Sequence, residues 1–388
     1  MPLRPAIGVG ITDGGFRRPR FYVDFSALST GASASPGGLT IVRASKAGAE
    51  NDGGANVFLA DCANNNEGRI AKRGSFQGLR IERGMTNLIT NARKPSLWAG
   101  AASSGTTTDD AAVGPDGLTK AAAHVISSGG YGRYFTSATL HPTGVSYTGS
   151  TWLKQNTLSS YQVNLADITC HCIGGTLAAG WNRYNIVLNP NNASGALVPV
   201  DGRDGSAIGG IAASAKNCFS DMMQLEAGPL STFFDGTRAP ERIYISDGSL
   251  LAPNGYMSME ITWSPTVSYT AAVLWGYGNM RIWGIAGDPN NYVEIVLATR
   301  KVKVVIGGQV EILPNALPSW SVDDVFVIRV NAGDGIPNGT YTYNGGAVTS
   351  LGSGSAQPYL FVSTAAIDLF CNSTTQQMDG IIKTLKVF

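Results

Sequence analysis

The sequence predicts an all-β protein built from many short strands, and three observations lead to that class. Its residues include 49 Gly and 18 Pro, and a glycine share of roughly one in eight is nearly twice the usual one. Between residues 91 and 240, no window of helical length repeats apolar residues with the spacing of an amphipathic helix. Hydrophobic residues make up 43% of the 388 positions, too many for a disordered chain. Frequent turns and this apolar content together favour packed sheets.

The middle of the chain carries four predicted strands, each short and bounded by Gly, Asn or Pro. They cover residues 147–154, 161–168, 184–188 and 219–225, and β-branched and aromatic side chains are frequent in them. We expect these strands to form a β-sandwich of the jelly-roll kind.

The strand pattern is stronger after residue 243, where two hairpins are predicted. Residues 301–306 and 309–313 flank Gly307-Gly308, whose glycines permit the positive φ of a two-residue turn. Asn344-Gly345 is the second turn of this kind. Residues 325–330 are apolar on both faces, which predicts a buried central strand. A second sandwich is therefore expected here.

At about 150 residues per domain, the length of the chain suits two or three domains. The strand pattern differs among three parts of the sequence. Charge and proline interrupt the strands at residues 238–241, so we place a boundary there. Residues 91–240 then form the first sandwich and residues 241–388 the second. Residues 1–90 hold a basic patch at 17–20 and little apolar periodicity, which predicts a segment that wraps over a neighbour or docks on a partner.

Charge and hydropathy argue against several classes of function. The 28 Lys+Arg and 27 Asp+Glu leave a net charge of +1, which gives no electrostatic case for nucleic acid or an anionic membrane surface. No run of about 18 apolar residues occurs, and the N-terminus lacks the apolar core of a signal peptide. We therefore expect a soluble protein made in the cytosol, with no nucleic-acid binding and no membrane insertion.

The sequence gives little reason to expect a metal or another cofactor. Its five cysteines form no regular framework, so we expect reduced and mostly buried thiols. Cys170-His171-Cys172 looks like a metal motif, but alternation along a strand would point His171 away from the two thiols. A structural calcium ion is left as an option, with oxygen ligands from either Asp109 and Asp110 or Asp116 beside Gly117.

Known signatures of catalysis are missing from the sequence. It has no Walker-type phosphate loop, no His-Glu-x-x-His and no Gly-x-Ser-x-Gly nucleophile elbow. His124 lies in a strand-like run and is predicted to be packed and hydrogen-bonded. Glycosidases need two carboxylates, and the pairs considered are Asp221 with Glu226 and Glu260 with Glu294. We expect Glu294 to be solvated and Glu226 to have a structural role in its motif. With no catalytic signature present, the sequence favours a protein without catalytic activity.

The aromatic content suits sugar binding, because a sugar ring offers an apolar C–H face and a polar rim. The chain has 7 Trp and 14 Tyr. Trp152, Trp181 and Trp263 lie in predicted strands and are expected in the core. Aromatic residues on loops beside glycines are better candidates for binding. The predicted glycan site in the second sandwich consists of Trp275, Tyr277, Trp283, Asn279, Asp288 and Asn291, with Tyr131 and Tyr134 of the first sandwich next.

Several short motifs follow one another in an order that we recognise. Residues 42–45 (VRAS), 78–83 (GLRIER), 86–89 (TNLI), 146–154 (SYTGSTWLK), 180–184 (GWNRY) and 224–228 with 237–239 (QLEAG, TRA) form the series. It resembles a segment of bacteriophage tail and head-fibre proteins, followed by a jelly roll similar to carbohydrate-binding domains. Residues 256–388 are similar to the concanavalin or laminin-G-like sandwiches of such proteins, with matching strands at 338–341 (NGTY) and 378–382 (MDGII).

This resemblance implies the fold and the role of each part. Two tandem jelly-roll and concanavalin-like β-sandwiches would follow an irregular N-terminal segment for virion attachment and oligomerisation. The protein would be a head spike or tail fibre of a bacteriophage or gene transfer agent, made in the host bacterial cytoplasm and located in the virion. It would bind host-surface polysaccharide during adsorption, contact capsid or tail proteins and form a homotrimer. The alternatives are a capsular polysaccharide depolymerase or deacetylase spike, and a purely structural capsid or tail decoration.

Overall fold

The structure is a computed structural model that describes the C-terminal part of the chain most completely. The described residues are 19, 21–27, 33–34, 39–42, 47–50, 58–62, 68–98, 100–102, 105–126, 132–134, 147–156, 164–167, 172–173, 178–188, 197–201, 216–228, 231, 233, 236–238, 241–248, 251–252, 255–358, 360, 365–371 and 378–388.

Strands dominate the described residues, which confirms the predicted all-β class. The strands are β1 (Phe21–Asp24), β2 (Ser33–Ala34), β3 (Thr40–Val42), β4 (Ala47–Glu50), β5 (Phe58–Cys62), β6 (Gly68–Arg73), β7 (Phe76–Ile81), β8 (Met85–Thr86), β9 (Gly100–Ala102), β10 (Gly105–Val113), β11 (Thr119–Ile126), β12 (Gly132–Tyr134), β13 (Tyr147–Gln155), β14 (Asn164–Asp167), β15 (Cys172–Ile173), β16 (Asn182–Leu188), β17 (Leu197–Asp201), β18 (Lys216–Glu226), β19 (Thr237–Arg238), β20 (Arg242–Ile245), β21 (Met257–Pro265), β22 (Met280–Ile285), β23 (Tyr292–Val296), β24 (Lys301–Ile306), β25 (Gln309–Ala316), β26 (Phe326–Ala332), β27 (Asn338–Tyr343), β28 (Thr349–Ser353), β29 (Ile367–Leu369) and β30 (Gly380–Val387). The described helices are α1 (Tyr269–Leu274) and two 3-10 helices, Phe25–Ala27 and Pro95–Leu97.

The chain divides into two compact units that interleave along the sequence. The C-terminal unit consists of Met1–Ala49, Cys62–Gly84 and Ala239–Phe388, and the middle unit consists of Glu50–Asp61 and Met85–Arg238. The middle unit ends at Arg238, within the predicted boundary at residues 238–241. The structure differs from the predicted division into 1–90, 91–240 and 241–388, because residues 1–90 are shared between the two units.

Two antiparallel sheets form the C-terminal unit. The first has nine strands in the order β2-β6-β7-β30-β21-β26-β27-β28, with β1 also paired to β30, and the second has seven in the order β25-β24-β23-β22-β29-β20-β3. One core cluster contains side chains from both sheets, among them Trp263 of β21, Phe326 of β26 and Trp283 of β22. Two sheets that share one apolar core form a β-sandwich.

Strand β7 places the motif at residues 78–83 in the first of these sheets. Leu79 pairs with Ile382 of β30, so an N-terminal strand lies beside the last strand of the chain. Gly78 is needed at this pairing, because a Cβ atom there would overlap the carbonyl oxygen of Ile382. Just beyond β7, the Arg83 backbone N–H donates to Asp379 Oδ1 at 2.8 Å. Residues 76–83 and 379–387 thus belong to the same unit.

Both predicted hairpins are confirmed. Gly307 and Gly308 have φ angles of 57° and 80°, and Asn344 and Gly345 have φ angles of 49° and 72°. Positive φ at both central residues gives the primed turn whose twist matches that of the flanking strands.

The strand predicted at residues 325–330 exists as β26 and lies between β21 and β27. Its residues alternate between buried and half-buried positions, so only one face is fully covered. The prediction of burial on both faces is therefore wrong. Arg329 on the less buried face bonds Ser258 Oγ at 3.0 Å and lies over the ring of Phe388, which keeps a cation there without burying it fully.

The middle unit contains two five-stranded antiparallel sheets, in the orders β10-β11-β18-β13-β16 and β15-β14-β17-β12-β9. Strands β13, β16 and β18 confirm three predicted strands, and β14 covers part of the fourth. Trp152 and Trp181 belong to the buried cluster of this unit, as predicted.

Helix α1 is short. Ser268 caps it, with its Oγ accepting from the Ala271 N–H at 3.2 Å. Among the residues that the structure describes, no helix is long and apolar enough to cross a membrane.

Candidate functional site

The structure places two of the predicted site aromatics in the interior of the C-terminal unit. Trp283 is 0% exposed, because β22 lies between β23 and β29 and directs this side chain into the core. Tyr277 is 8% exposed, and the Arg83 guanidinium lies 3.7 Å from its ring centroid. A sugar ring can pack only on an uncovered aromatic face. The prediction that Trp283 and Tyr277 are exposed on loops is therefore wrong.

Trp275 is the C-cap residue of α1 and packs half-buried against the core. The neighbouring Leu274, the last residue of α1, is 68% exposed, so Trp275 lies beside an exposed apolar side chain. A contact between Trp275 and a glycan stays a prediction. The side chains of Tyr131 and Tyr134 lie outside the described residues, although the backbone of Tyr134 belongs to β12.

Three charged side chains stand next to one another across β22, β23 and β24. The register pairs Arg281 with Glu294 and Glu294 with Lys303. Glu294 Oε1 accepts from Asn279 Nδ2 at 2.8 Å and from Lys303 Nζ at 3.3 Å, and Oε2 lies 3.6 Å from Arg281 Nη2. The prediction that Glu294 is solvated is wrong, because these partners offset the cost of burying its carboxylate. Asn279 is used internally, since its Oδ1 also accepts from the Leu297 N–H.

Asp288 and Asn291 come together in the loop between β22 and β23. Asp288 Oδ1 accepts from the Asn290 N–H at 2.7 Å, and Oδ2 accepts from Asn291 Nδ2 at 2.6 Å. Asn291 Oδ1 in turn accepts from the Gly307 N–H at 2.9 Å. These bonds fix the Asp288 carboxylate in one orientation.

A cleft of about 440 Å³ lies beside this loop, within the usual range of about 300–1,000 Å³ for small-molecule sites. Its polar wall has one guanidinium, from Arg281, and two carboxylates, from Asp288 and Asp368. Tyr292 adds an aromatic ring. The other lining residues are Gly284, Ile285, Gly287, Pro289 and Cys371.

Arg281 is held on the cleft wall by its neighbours. Its guanidinium lies 3.8 Å from the centroid of the Tyr292 ring, a cation–π contact. Gly284 leaves room for it, since a Cβ atom there would lie 2.9 Å from Arg281 Nη1. Burial lowers the pKa of Arg281, while the nearby Glu294 carboxylate acts in the opposite direction. A guanidinium does not lose its proton in proteins, so the side chain is a cation at neutral pH.

Asp368 lies on β29 and has one cationic partner. Arg242 Nε and Nη2 both contact its Oδ1 at 2.8 Å. Burial raises the pKa of Asp368, and the Arg242 guanidinium opposes this effect. In the part of the chain that the structure describes, no hydrogen bond reaches Asp368 Oδ2, so this oxygen can accept one from a ligand.

The thiol in the cleft is unreactive. Burial raises the pKa of Cys371 to about 11, so the thiol is protonated at neutral pH. Cys371 and Cys218 are both free and buried, as the sequence predicted. Cys170 and His171 lie outside the described residues, as does the side chain of Cys172.

His124 belongs to the middle unit and is buried, which confirms its predicted packing. Its Nε2 lies 2.6 Å from Ser220 Oγ and its Nδ1 lies 3.0 Å from Thr107 Oγ1. Burial lowers the pKa of His124 to about 3. The imidazole is therefore neutral at physiological pH.

The carboxylates of the predicted glycosidase pairs all have structural partners. Asp221 bonds Arg93, Glu226 bonds Ser231, Glu260 bonds Lys386 and Glu294 bonds Lys303. Such bonds satisfy buried or half-buried oxygens and give each carboxylate a role in the fold.

Asp110 and Asp116, two of the residues that could ligate calcium, are held by cationic side chains. Asp110 Oδ2 accepts from Lys94 Nζ at 2.8 Å, and Asp116 accepts two bonds from Arg93 at 2.6 and 3.1 Å. Cationic side chains thus occupy oxygens that calcium would need. Within the described ranges, no group of three or more His, Cys, Asp or Glu residues could hold a metal ion.

Sequence reasoning missed Arg281 and Asp368. Each is a single charge inside an apolar strand, and charged residues are almost never fully buried unless they are paired. That pattern was the available signal. Their meeting in one cleft depends on the pairing of β22 with β29, which no local pattern reveals.

No family model and no curated protein matches the chain. One solved structure with a weak likeness is domain 4 of AbnA, a GH43 extracellular arabinanase from Geobacillus stearothermophilus, in complex with arabinotriose (16% identity, 41% of this chain, 75% of that chain, TM-score 0.28). Another is xylan β-1,4-xylosidase from Bacillus halodurans C-125 (9% identity, 38% of this chain, 29% of that chain, TM-score 0.24). A third is the N-terminal CBM22-1-CBM22-2 tandem domain from Paenibacillus barcinonensis Xyn10C (8% identity, 79% of this chain, 98% of that chain, TM-score 0.27). Likenesses this weak carry no argument about what the chain does.

Proposed function

We propose that the chain is a glycan-binding protein without catalytic activity, and that the cleft lined by Arg281, Asp288 and Asp368 is a binding site. The observation that carries the proposal is the mixture of a guanidinium, two carboxylates and an aromatic ring in one cleft. Sugar hydroxyls both donate and accept hydrogen bonds, and sugar C–H faces pack on rings. The cleft offers a partner for each of these features.

Preorganised side chains strengthen this reading. The loop bonds of Asp288 and the ring contact of Arg281 fix both groups before any ligand arrives. Binding then costs little side-chain entropy at these two positions. Trp275, Tyr131 and Tyr134 remain proposed as additional contacts.

We extend the proposal to a virion surface protein, either a head spike or a tail fibre of a phage-type particle. The ordered motifs between residues 42 and 239 support this step. The protein would bind host polysaccharide during adsorption, form a homotrimer and contact capsid or tail proteins through its N-terminal residues. A weak site gains avidity when many copies act together, which suits a particle.

A glycan array and adsorption to host cells test the binding function with the full chain. We expect the wild-type protein to bind at least one bacterial polysaccharide and Asp288→Ala to lose most of that binding. Glu260→Ala is the matched control, since Glu260 bonds Lys386 in the other sheet of the unit. If the wild-type chain binds neither cells nor any glycan, a purely structural decoration is the better interpretation.

A polysaccharide depolymerase or deacetylase is the second candidate, and one observation favours it. Asp368 has a raised pKa and shares its cleft with Asp288, as an acid and a second carboxylate would in a glycosidase. New reducing ends or free acetate from a bound polysaccharide would establish this activity if Asp368→Asn abolished them. Binding without product supports the proposal above.

A further inference from the structure

We infer that the cleft takes a neutral sugar carrying two adjacent hydroxyl groups, and that it discriminates against uronic acids and other anionic sugars. This inference rests on the proposed function and names its ligand class. It comes from the hydrogen bonds that the cleft carboxylates already make and from the charges that they face.

Asp288 has two acceptor positions left on neighbouring atoms. An ionised carboxylate offers about four lone-pair sites. One on Oδ1 is taken by the Asn290 N–H and one on Oδ2 by Asn291 Nδ2. Each oxygen can therefore accept one more bond, and two adjacent hydroxyls of a sugar would supply both donors.

Asp368 and Arg281 extend the same pattern across the cleft. Arg242 contacts Oδ1 of Asp368 and leaves Oδ2 able to accept from a hydroxyl. Arg281 can donate to a hydroxyl oxygen. Since a hydroxyl both donates and accepts, one sugar hydroxyl can bridge a carboxylate and the guanidinium.

The charges around the cleft explain the discrimination. Arg281 already faces Glu294, and Asp368 already faces Arg242. The described hydrogen-bond partners of Asp288 are two neutral amides, so, unlike Asp368, it has no cationic contact among the described residues. An anionic sugar would bring a second negative charge close to this carboxylate, and repulsion between like charges weakens binding.

Affinity electrophoresis of the full chain tests the inference, in gels that contain either neutral or acidic polysaccharides. The neutral probes are galactan, mannan, arabinan and β-glucan, and the acidic probes are polygalacturonate and alginate. We expect at least one neutral probe to slow the protein, with a dissociation constant that changes less than about twofold between low and high salt. Asp288→Asn should weaken that binding about tenfold or more, because bonds to a charged acceptor are lost. Glu260→Gln should bind like the wild type.

The failures can be told apart. Retardation by acidic probes alone, lost at high salt, overturns the inference and leaves the proposed glycan binding intact. Binding to neutral probes that neither Asp288→Asn nor Asp368→Asn weakens also overturns it, because the ligand then sits elsewhere. If one variant melts below the wild type, the other decides. No retardation by any probe and no binding to cells overturns the proposed function, and the inference with it.

Discussion

Replacing Leu79 by Ala is expected to destabilise the C-terminal unit, although in sequence this residue lies between the two stretches of the middle unit. Leu79 is buried in β7 and belongs to the same core cluster as Trp263 and Trp283. Removing about three buried carbons loses roughly 2.4 kcal/mol at about 0.8 kcal/mol each. The remaining cavity raises the expected loss of unfolding free energy to about 3–4 kcal/mol.

Pulse proteolysis across a urea series, with fragments identified by mass spectrometry, measures each unit separately. In Leu79→Ala, residues 239–388 should become cleavable at lower urea, while the fragment 85–238 keeps its wild-type resistance. Leu274→Ala is the control: its side chain is 68% exposed, so its loss should stay within about 0.5 kcal/mol. Equal losses in the two variants, or a loss confined to 85–238, would refute the assignment of β7 to the C-terminal sandwich.

Three further predictions concern single residues. Burial lowers the pKa of His124 to about 3, below an unfolded value of about 6.5, so the unfolded chain binds the proton first. The free energy of unfolding of the middle unit should therefore decrease as pH falls from 6.5 to 3, by up to about 1.4 kcal/mol per pH unit. Urea unfolding at several pH values measures this, and an equal pH dependence in His124→Asn and the wild type would contradict it. Gly78→Ala should break the pairing of β7 with β30, because its Cβ would overlap the Ile382 carbonyl; faster hydrogen exchange at β30 amides checks this, and unchanged exchange would count against the pairing. Trp283→Ala should lose about 3–5 kcal/mol by thermal or urea unfolding, and half-buried Trp275→Ala clearly less; similar losses would mean that the two side chains are equally packed.

Local signals were enough to predict the all-β class, both hairpins and most strands of the middle unit. Gly307-Gly308 and Asn344-Gly345 specify their turns through φ angles that few other residues adopt easily. A turn of this kind depends on two residues and little else, which is why sequence reasoning succeeds there.

Burial of individual side chains was harder to predict, because it depends on the order of strands in a sheet. Trp283 lies near glycines and resembles a loop aromatic, yet β22 has a neighbour on each side and the ring faces the core. Glu294 alternates with apolar residues and resembles a solvated position, yet Lys303 and Arg281 on adjacent strands bury it. For the same reason, the cleft was predicted only through Asp288 and its loop.

The pairing of β7 with β30 also delays the folding of the C-terminal unit during synthesis, because β7 cannot pair until β30 has been made. Leu79 is made well before its partner Ile382, because the whole of residues 80–381 lies between them. At about 5–20 residues per second, the ribosome needs roughly 15–60 s to add the intervening residues. Through that interval the hairpin of β6 and β7 has an unpaired edge, which is a site for aggregation. The middle unit can complete its own sheets meanwhile, so its structure should form before that of the C-terminal unit.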